Sequence, residues 1–545
     1  MTDIDVLVVG AGFAGLYQLH RLRDLGLRTR VIDAASDVGG TWYWNRYPGA
    51  RCDVESMSYS YSFSPELEQD WTWTEKYPAQ PEILAYLQHV ADRFDLRRDI
   101  TFDTSVTAAS WADDGWRITT DAGERITSRW LIWATGCLSV PKDPQIDGLD
   151  DFGGRVLSTA RWPHEGVDVT GERVAVVGTG SSGIQVTPVL AADAAELTVF
   201  QRTPSYSFPA FNRPLDADEI AERKATYPQW RDAQRASGFG VPVALPTRSA
   251  LEVDPAERAA TYRERWDSGV LTAVTSAYTD IRTNLEANET AAEFVRERIR
   301  ETVTDPAVAE TLSPRSYPLG TRRPCLDTGF YEAFNADHVH LVDARETPIQ
   351  RATADGLRTR DGVTEVDTIV LATGFDAVTG ALLAVDPVGR DGERLSEHWA
   401  DGARSYLGLA VAGFPNMFTV TGPSSPNVLS NMVVSIEQHV DWITDAIARC
   451  EADGVATMEV EAAAEEAWVT QTAAMVDQTL YPRADSWYLG SNIPGKPRVH
   501  LAWVGGIAAY RDVCDAVAAD DYRGFTRQRA DPHSPSLRTP RPVSA

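Results

Sequence analysis

Short apolar runs punctuated by glycine set the pattern of this chain. Asp5–Val9 predicts a strand that runs into Gly10-Ala11-Gly12-Phe13-Ala14-Gly15. A helical segment, Leu16–Leu25, follows, and a second apolar run, Arg30–Ile32, ends in Asp33. The plan recurs in mid-chain. Arg173–Val177 predicts a strand, Gly178-Thr179-Gly180-Ser181-Ser182-Gly183 a turn, Ser181–Leu190 the opening of a helix, and Glu196–Phe200 a strand ending in Gln201-Arg202-Thr203. Two more apolar runs, Trp130–Gly136 and Thr368–Gly374, end in Ala-Thr-Gly. Between Asp216 and Leu312 the pattern turns charged and rich in Ala, Arg and Glu, with helical spacing at Asp254–Asp267 and Glu289–Val303.

One G-x-G-x-x-G is a weak signal. Two, each between a strand and a helix, imply two dinucleotides on one polypeptide. Gly10, Gly12 and Gly15, with Ala14 among them, allow a tight turn and close backbone approach, and the helix N-terminus favours a pyrophosphate. Asp33, 18 residues beyond Gly15, suits the two hydroxyls of an unphosphorylated adenosine ribose, as in FAD. The second unit carries Arg202 and Thr203 at the corresponding place, suited to a ribose 2′-phosphate and so to NADPH. The pair predicts a flavin enzyme reduced by a nicotinamide cofactor.

The expected fold is α/β, with two Rossmann-like dinucleotide-binding domains. The FAD domain is discontinuous (residues 1–140 and 377–527, the latter with active-site loops). The NADP domain is inserted into it (141–208 and 326–376) and itself carries a helical insertion (209–325). Residues 528–545, rich in Pro, Ser and Arg, are expected to be a tail, disordered or wrapped on the surface.

Composition narrows the function. The chain of 545 residues is long enough for several domains, and its net charge of −27 argues against nucleic acid. No run is long and apolar enough to span a bilayer, and the N-terminal apolar run lacks the basic start of a signal peptide. Cys52, Cys137, Cys325, Cys450 and Cys514 have no C-x-x-C or C-x4-C spacing. That argues against a metal site or redox disulfide and fits the cytoplasm. The oligomeric expectation is a monomer or weak oligomer.

Two charged stretches remain. Gly40-Thr41-Trp42-Tyr43-Trp44-Asn45-Arg46-Tyr47-Pro48-Gly49-Ala50-Arg51-Cys52-Asp53 is dense in aromatics yet holds Arg51 and Asp53. Gly320-Thr321-Arg322-Arg323-Pro324 offers partners for a buried Asp53. With these stretches the chain resembles the Type I Baeyer–Villiger monooxygenases over nearly its whole length, in the branch of phenylacetone, steroid and large-ring ketone monooxygenases. The matching motifs are the G-x-W…Y-P-G-x-R-x-D stretch ending at Asp53, Tyr317–Arg323, and Ala372-Thr373-Gly374-Phe375-Asp376. Gly422–Pro426 with Ser430–Met432, and Asn492–Lys496 preceded by Ser486–Tyr488, match as well.

The resemblance implies a ketone and O2 as substrates and an ester or lactone as product, formed through a C4a-peroxyflavin. It makes Arg323 the catalytic arginine and Asp53 its carboxylate partner. Expected FAD contacts are Gly10, Gly12, Ala14, Gly15, Asp33, Gly40, Thr41, Trp42, Tyr43, Trp44, Asp53 and Tyr59. Expected NADP contacts are Arg51, Gly178, Gly180, Ser181, Ser182, Gly183, Gln185, Arg202, Thr203, Arg322 and Trp487. Arg322 stands where the family usually has Lys, and Trp487 lies on a loop that closes over the nicotinamide. Leu429 and Met432 would line a substrate pocket for a bulky hydrophobic ketone, aryl or cyclic.

One departure stands out. The family fingerprint F-x-G-x-x-x-H-x-x-x-W-P becomes Phe152–Pro163 with Ser158 in place of histidine. Trp162-Pro163 still favours this branch over N- and S-oxygenating flavin monooxygenases. The competing readings are such an N- or S-oxygenase, and a poorly coupled NADPH oxidase or non-catalytic nucleotide-binding protein. His164 is read as a surface residue.

Overall fold

A computed structural model describes residues 2–112 and 115–529. Its first sheet is built in the order Ile100–Thr101, Thr29–Ile32, Thr2–Val9, Arg125–Trp133, Gly115–Thr120 and Val106–Ala112. The first four strands are parallel and the last two return antiparallel. Arg125–Trp133 serves two neighbours on one edge. Its N-terminal part, Arg125–Ser128, pairs with Trp116–Thr119, and Leu131–Trp133 pairs in parallel with Met417–Thr419. A strand from far along the chain thus completes the sheet that the N-terminus begins, as a discontinuous FAD domain requires.

The second sheet is wholly parallel, in the order Val339–Asp343, Glu196–Gln201, Arg173–Val177, Thr368–Leu371 and Arg155–Ser158. Each sheet has its own core. Val6, Val8, Leu16, Leu19, Trp130 and Ile132 pack with Phe418 and with Val440, Ile443 and Ile447 of the helix Met432–Asp453. Val174, Val176, Ile184, Leu197 and Val370 pack with Phe294, Val295 and Ile299 of the helical insertion. Burying these apolar faces supplies the main drive for the βαβ layers.

The insertion holds helices at Ala217–Arg235, Pro255–Asp267, Leu285–Thr302 and Pro306–Leu312. Asp216, Asp254, Asn284 and Asp305 cap them, each side chain accepting from a first-turn N–H. The third helix starts at Leu285, four residues ahead of the periodic stretch read from Glu289, because Asn284 caps it there. Both Ala-Thr-Gly strands stop short of that motif, at Trp133 and Leu371. The first helix begins at Phe13, inside the glycine motif. Gln528 and Arg529 correct the expected tail: they finish the strand Phe525–Arg529, which pairs antiparallel with Val455–Val460. Residues 530–545 of that tail lie outside the described residues. Among the described residues, no helix is long and apolar enough to cross a membrane.

A candidate active site between two glycine turns

The two turns share one construction. Gly10 and Gly178 have φ of +108° and +110°. A Cβ at either would lie 2.5 Å from a carbonyl oxygen, that of Ala134 or of Ala372. This is the work of the repeated Ala-Thr-Gly: its alanine carbonyl lies against the first glycine. A Cβ on Gly15 would sit 1.7 Å from Gly10 O, and one on Gly183 would sit 2.0 Å from Gly178 O. Only glycine allows the helix to pack this close.

The helices Phe13–Asp24 and Ser181–Asp193 start at Gly12 and Gly180 with no side-chain cap, unlike the four helices of the insertion. Their first N–H groups are therefore free of capping side chains, and an uncapped helix start beneath a glycine turn suits a phosphate. The residues present fit a dinucleotide at both turns.

The surroundings differ. Gly12 faces Gly40 Cα, 3.3 Å from where its Cβ would be, whereas no described residue lies within 4 Å of the same point at Gly180. Ala14 and Gly15 are buried; Gly180 and Ser181 are exposed and Ser182 is partly so. Asp33 is buried, and its carboxylate accepts from Ala11 N at 2.5 Å and Ala35 N at 2.8 Å. Burial raises its pKa against those two bonds. Arg202 is exposed after its strand, and the Thr203 carbonyl accepts from Thr179 Oγ1 at 3.1 Å.

The aromatic stretch closes the first turn and reaches the second. Thr41–Trp44 forms one helical turn with Trp42 and Tyr43 buried. Trp42 Nε1 donates to Tyr59 OH at 3.3 Å, and Tyr59 packs edge-on to Phe13 with centroids 5.2 Å apart. Arg161 stacks over Trp44 at 4.2 Å. His164, exposed, packs against Tyr43. Further on, Tyr47 OH donates to Gln185 Oε1 at 2.8 Å, and Gln185 Nε2 donates to Arg51 O at 3.0 Å. Gln185 thus ties the second turn's helix to the stretch that closes the first turn. The Arg51 guanidinium is committed to Glu75 and to Tyr77 O.

Between the turns lies an ion pair. Arg323 Nη2 donates to both carboxylate oxygens of Asp53 at 2.7 Å, and Nη1 donates to Val428 O at 2.8 Å. Burial opposes the charge on Arg323, but Asp53 and the Tyr488 phenol outweigh it and raise its pKa further. The adjoining strand Cys325–Asp327 pairs with Ser207–Pro209, and Cys325 Sγ lies 3.2 Å from Ser181 Oγ of the second turn. Burial pushes the Cys325 thiol up to about 11, so it stays a neutral spacer. Arg322 stacks on Tyr317 at 5.2 Å.

Two segments lie by this centre. The loop after Met417–Thr419 holds Thr421, Ser424 and Asn427 at positive φ, strain of the kind that clusters at functional sites. It presents Val428 O to Arg323. Trp487 packs on Tyr488 at 4.6 Å. The chain beyond is tied to the second Ala-Thr-Gly stretch by Asn492 Nδ2 donating to Phe375 O at 2.9 Å and by the Lys496–Asp376 ion pair. An open pocket of about 450 Å³ runs from Asp53 and Arg323 along Phe239, Val241, Leu271 and Leu429. Met432 packs between two apolar clusters. Ser158 ends its strand beside Leu371, and its hydroxyl accepts from Ala160 N at 3.3 Å, capping the turn Thr159–Arg161.

Motif reading gave no role to Tyr488, the Val428 carbonyl or Lys142. Tyr488 adjoins Trp487 in a recognised motif. A backbone carbonyl leaves no side-chain signal, and Lys142 belongs to no motif.

Two dinucleotide cradles flanking a fixed guanidinium define a flavin–nicotinamide oxidoreductase. Residues 7–214 match the model of the pyridine nucleotide-disulphide oxidoreductases, a match of architecture, since all five cysteines here are free and buried. The chain is 42% identical to acetone monooxygenase (methyl acetate-forming) of Gordonia sp. (strain TY-5), over 96% of this chain and 99% of that one. It is 41% identical to phenazine N-monooxygenase PhzNO1 of Lysobacter antibioticus, over 98% of each. The structure of an oxidized steroid monooxygenase bound to NADP superposes with a TM-score of 0.93 at 52% identity, covering 97% of this chain and 100% of that one. The chain belongs to the Type I Baeyer–Villiger monooxygenase family and is an NADPH-dependent flavoprotein monooxygenase with FAD and NADP(H) as cofactors.

Proposed function

We propose that the chain oxygenates a bulky hydrophobic ketone, aryl or cyclic, to an ester or lactone, with Arg323 as the catalytic residue. The observation that carries this reading is the guanidinium held by Asp53 and Val428 O at the head of an apolar pocket. When bound, FAD in the first cradle would supply the activated oxygen and NADPH in the second the reducing equivalents.

Arg323 keeps its proton at any working pH and cannot serve as an acid. It therefore favours nucleophilic attack on a carbonyl over electrophilic transfer, which calls for a proton donor. Its remaining donors can face the negative charge that develops on the carbonyl oxygen, a role worth most in a site closed to water. Asp53 fixes the guanidinium and offsets the cost of its burial.

The first turn, Asp33, Gly40–Trp44 and Tyr59 hold the flavin nucleotide in this reading. The second turn, Gln185, Arg202, Thr203, Arg322 and Trp487 hold the nicotinamide nucleotide. Leu429, Phe239, Val241 and Leu271 give the pocket its apolar character. The domain boundaries drawn above, a monomeric or weakly associating state and work in the cytoplasm belong to the same reading.

The phenazine-oxidising relative favours a second reading, oxygenation of a ring nitrogen. Purified FAD-loaded protein with NADPH and air, offered aryl and cyclic ketones, a thioether and an N-heterocycle side by side, separates the two by mass spectrometry. Esters or lactones support the first. N-oxide or sulfoxide without ester, or peroxide alone, rejects it.

A further inference from the structure

We infer that Lys142 is a second cationic ligand for the 2′-phosphate of NADPH, working with Arg202 from the opposite side of the second glycine turn. This rests on the assignment of that turn to NADPH.

The placement comes from the sheet. Arg173–Val177, which leads into the turn, lies between Glu196–Gln201 and Thr368–Leu371. Arg202 directly follows the first of these neighbours. Lys142 is fastened to the end of the other: its N–H donates to Gly374 O at 2.9 Å, Thr373 Oγ1 donates to its carbonyl at 3.4 Å, and Pro141 bridges to Phe375. Both residues thus stand on the carboxyl edge of one parallel sheet, two strand spacings of about 4.8 Å apart, and long side chains can meet over the strand between them.

They do approach. Burial, and next the nearby charge of Arg202, lower the Lys142 pKa. Neither side chain has a carboxylate partner in an ion pair among the described residues. The adjacent acid, Asp143, is used in its own turn, accepting from Gln145 N at 3.0 Å.

Cations left without a carboxylate partner are unexpected in a chain with 78 acids and 51 lysines and arginines. A dianion between the two would be that partner. The pyrophosphate has its own place at the uncapped helix start beside Gly180. The 2′-phosphate belongs beside Arg202, at the end of the following strand, and there Lys142 adds a mobile point charge to the planar fork of the arginine.

The test is titration of FAD-loaded protein with NADP+ and with NAD+, by calorimetry, for wild type, Lys142→Met and Lys142→Arg, with FAD content and melting temperature alongside. Expected for Lys142→Met is NADP+ binding about tenfold weaker, the loss of one charge-assisted contact, with NAD+ binding unchanged and Lys142→Arg keeping most of the affinity. Equal weakening for NADP+ and NAD+, or no weakening of NADP+, overturns the assignment of Lys142. Failure of the wild type itself to prefer NADP+ instead overturns the NADPH reading of the turn.

Discussion

The two glycine turns are nearly the same object in backbone terms and opposite in setting. Their first glycines differ in φ by only a few degrees, and each rests on the carbonyl of an Ala-Thr-Gly alanine. The first is roofed by Gly40 and the aromatic stretch and ends in the buried Asp33. The second stands open at Gly180, and the cations proposed beside it, Arg202 and Lys142, have no ion-pair partner among the described residues. In the proposed reading, one backbone device, repeated, serves as a permanent holder where it is covered and as an exchange site where it is exposed, and the side chain after the following strand selects the ribose.

The largest effect that would break this pairing comes from the third glycines. Gly15→Ala drives a methyl to 1.7 Å from Gly10 O, a backbone collision in a buried turn. Its expected outcome is protein without bound FAD or without a fold, read by the flavin absorbance per chain. Gly183→Ala makes the same collision at the open turn. It should abolish NADP+ binding while keeping FAD content near wild type; equal loss of FAD in both variants would show that the turns are not independent.

Next in size is Arg202→Ala. Removal of a charge-assisted contact worth about 1.5–3 kcal/mol should cut the NADPH over NADH preference in kcat/KM by roughly 10- to 100-fold. FAD content should not move. An unchanged ratio would leave the second ribose unassigned.

The smallest effect concerns acid. His439, in the helix that backs the first sheet, accepts from Thr421 N at 2.9 Å, and burial lowers its pKa to about 3. The folded state keeps it neutral. Its contribution to stability is therefore complete above the unfolded value of 6.5 and is lost as pH falls from there through about 3. His500, lowered to about 4 by burial, adds in the same direction. The melting temperature should decline across that window, and less steeply in His439→Gln; an identical slope would remove His439 from the account of acid sensitivity.

Both turns and the Ala-Thr-Gly repeats were legible in the sequence, because tight turns admit few residue types; a buried Asp53 pointed to Arg322 or Arg323, and the family resemblance chose Arg323. What escaped shows the limits of pattern. Met417–Thr419 is three residues long, too short for any period, yet it completes the first sheet. Gln528 and Arg529 are polar residues on an antiparallel pair and look like tail. Val428 acts through its carbonyl, which any side chain could carry. Lys142 gains its place from a hydrogen bond to Gly374, far away in sequence. Asp33 was legible as an acid, but not that two backbone N–H groups already hold it.

In the proposed mechanism the chemistry rests on Arg323, held by Asp53 and the Val428 carbonyl. Rapid mixing of FAD-loaded Arg323→Ala with NADPH, then with air and a ketone, tests that most directly. Expected is flavin bleaching that persists while ester formation falls by about 10²- to 10³-fold, the usual loss on removing a preorganised donor. Ester formed at the wild-type rate would contradict it.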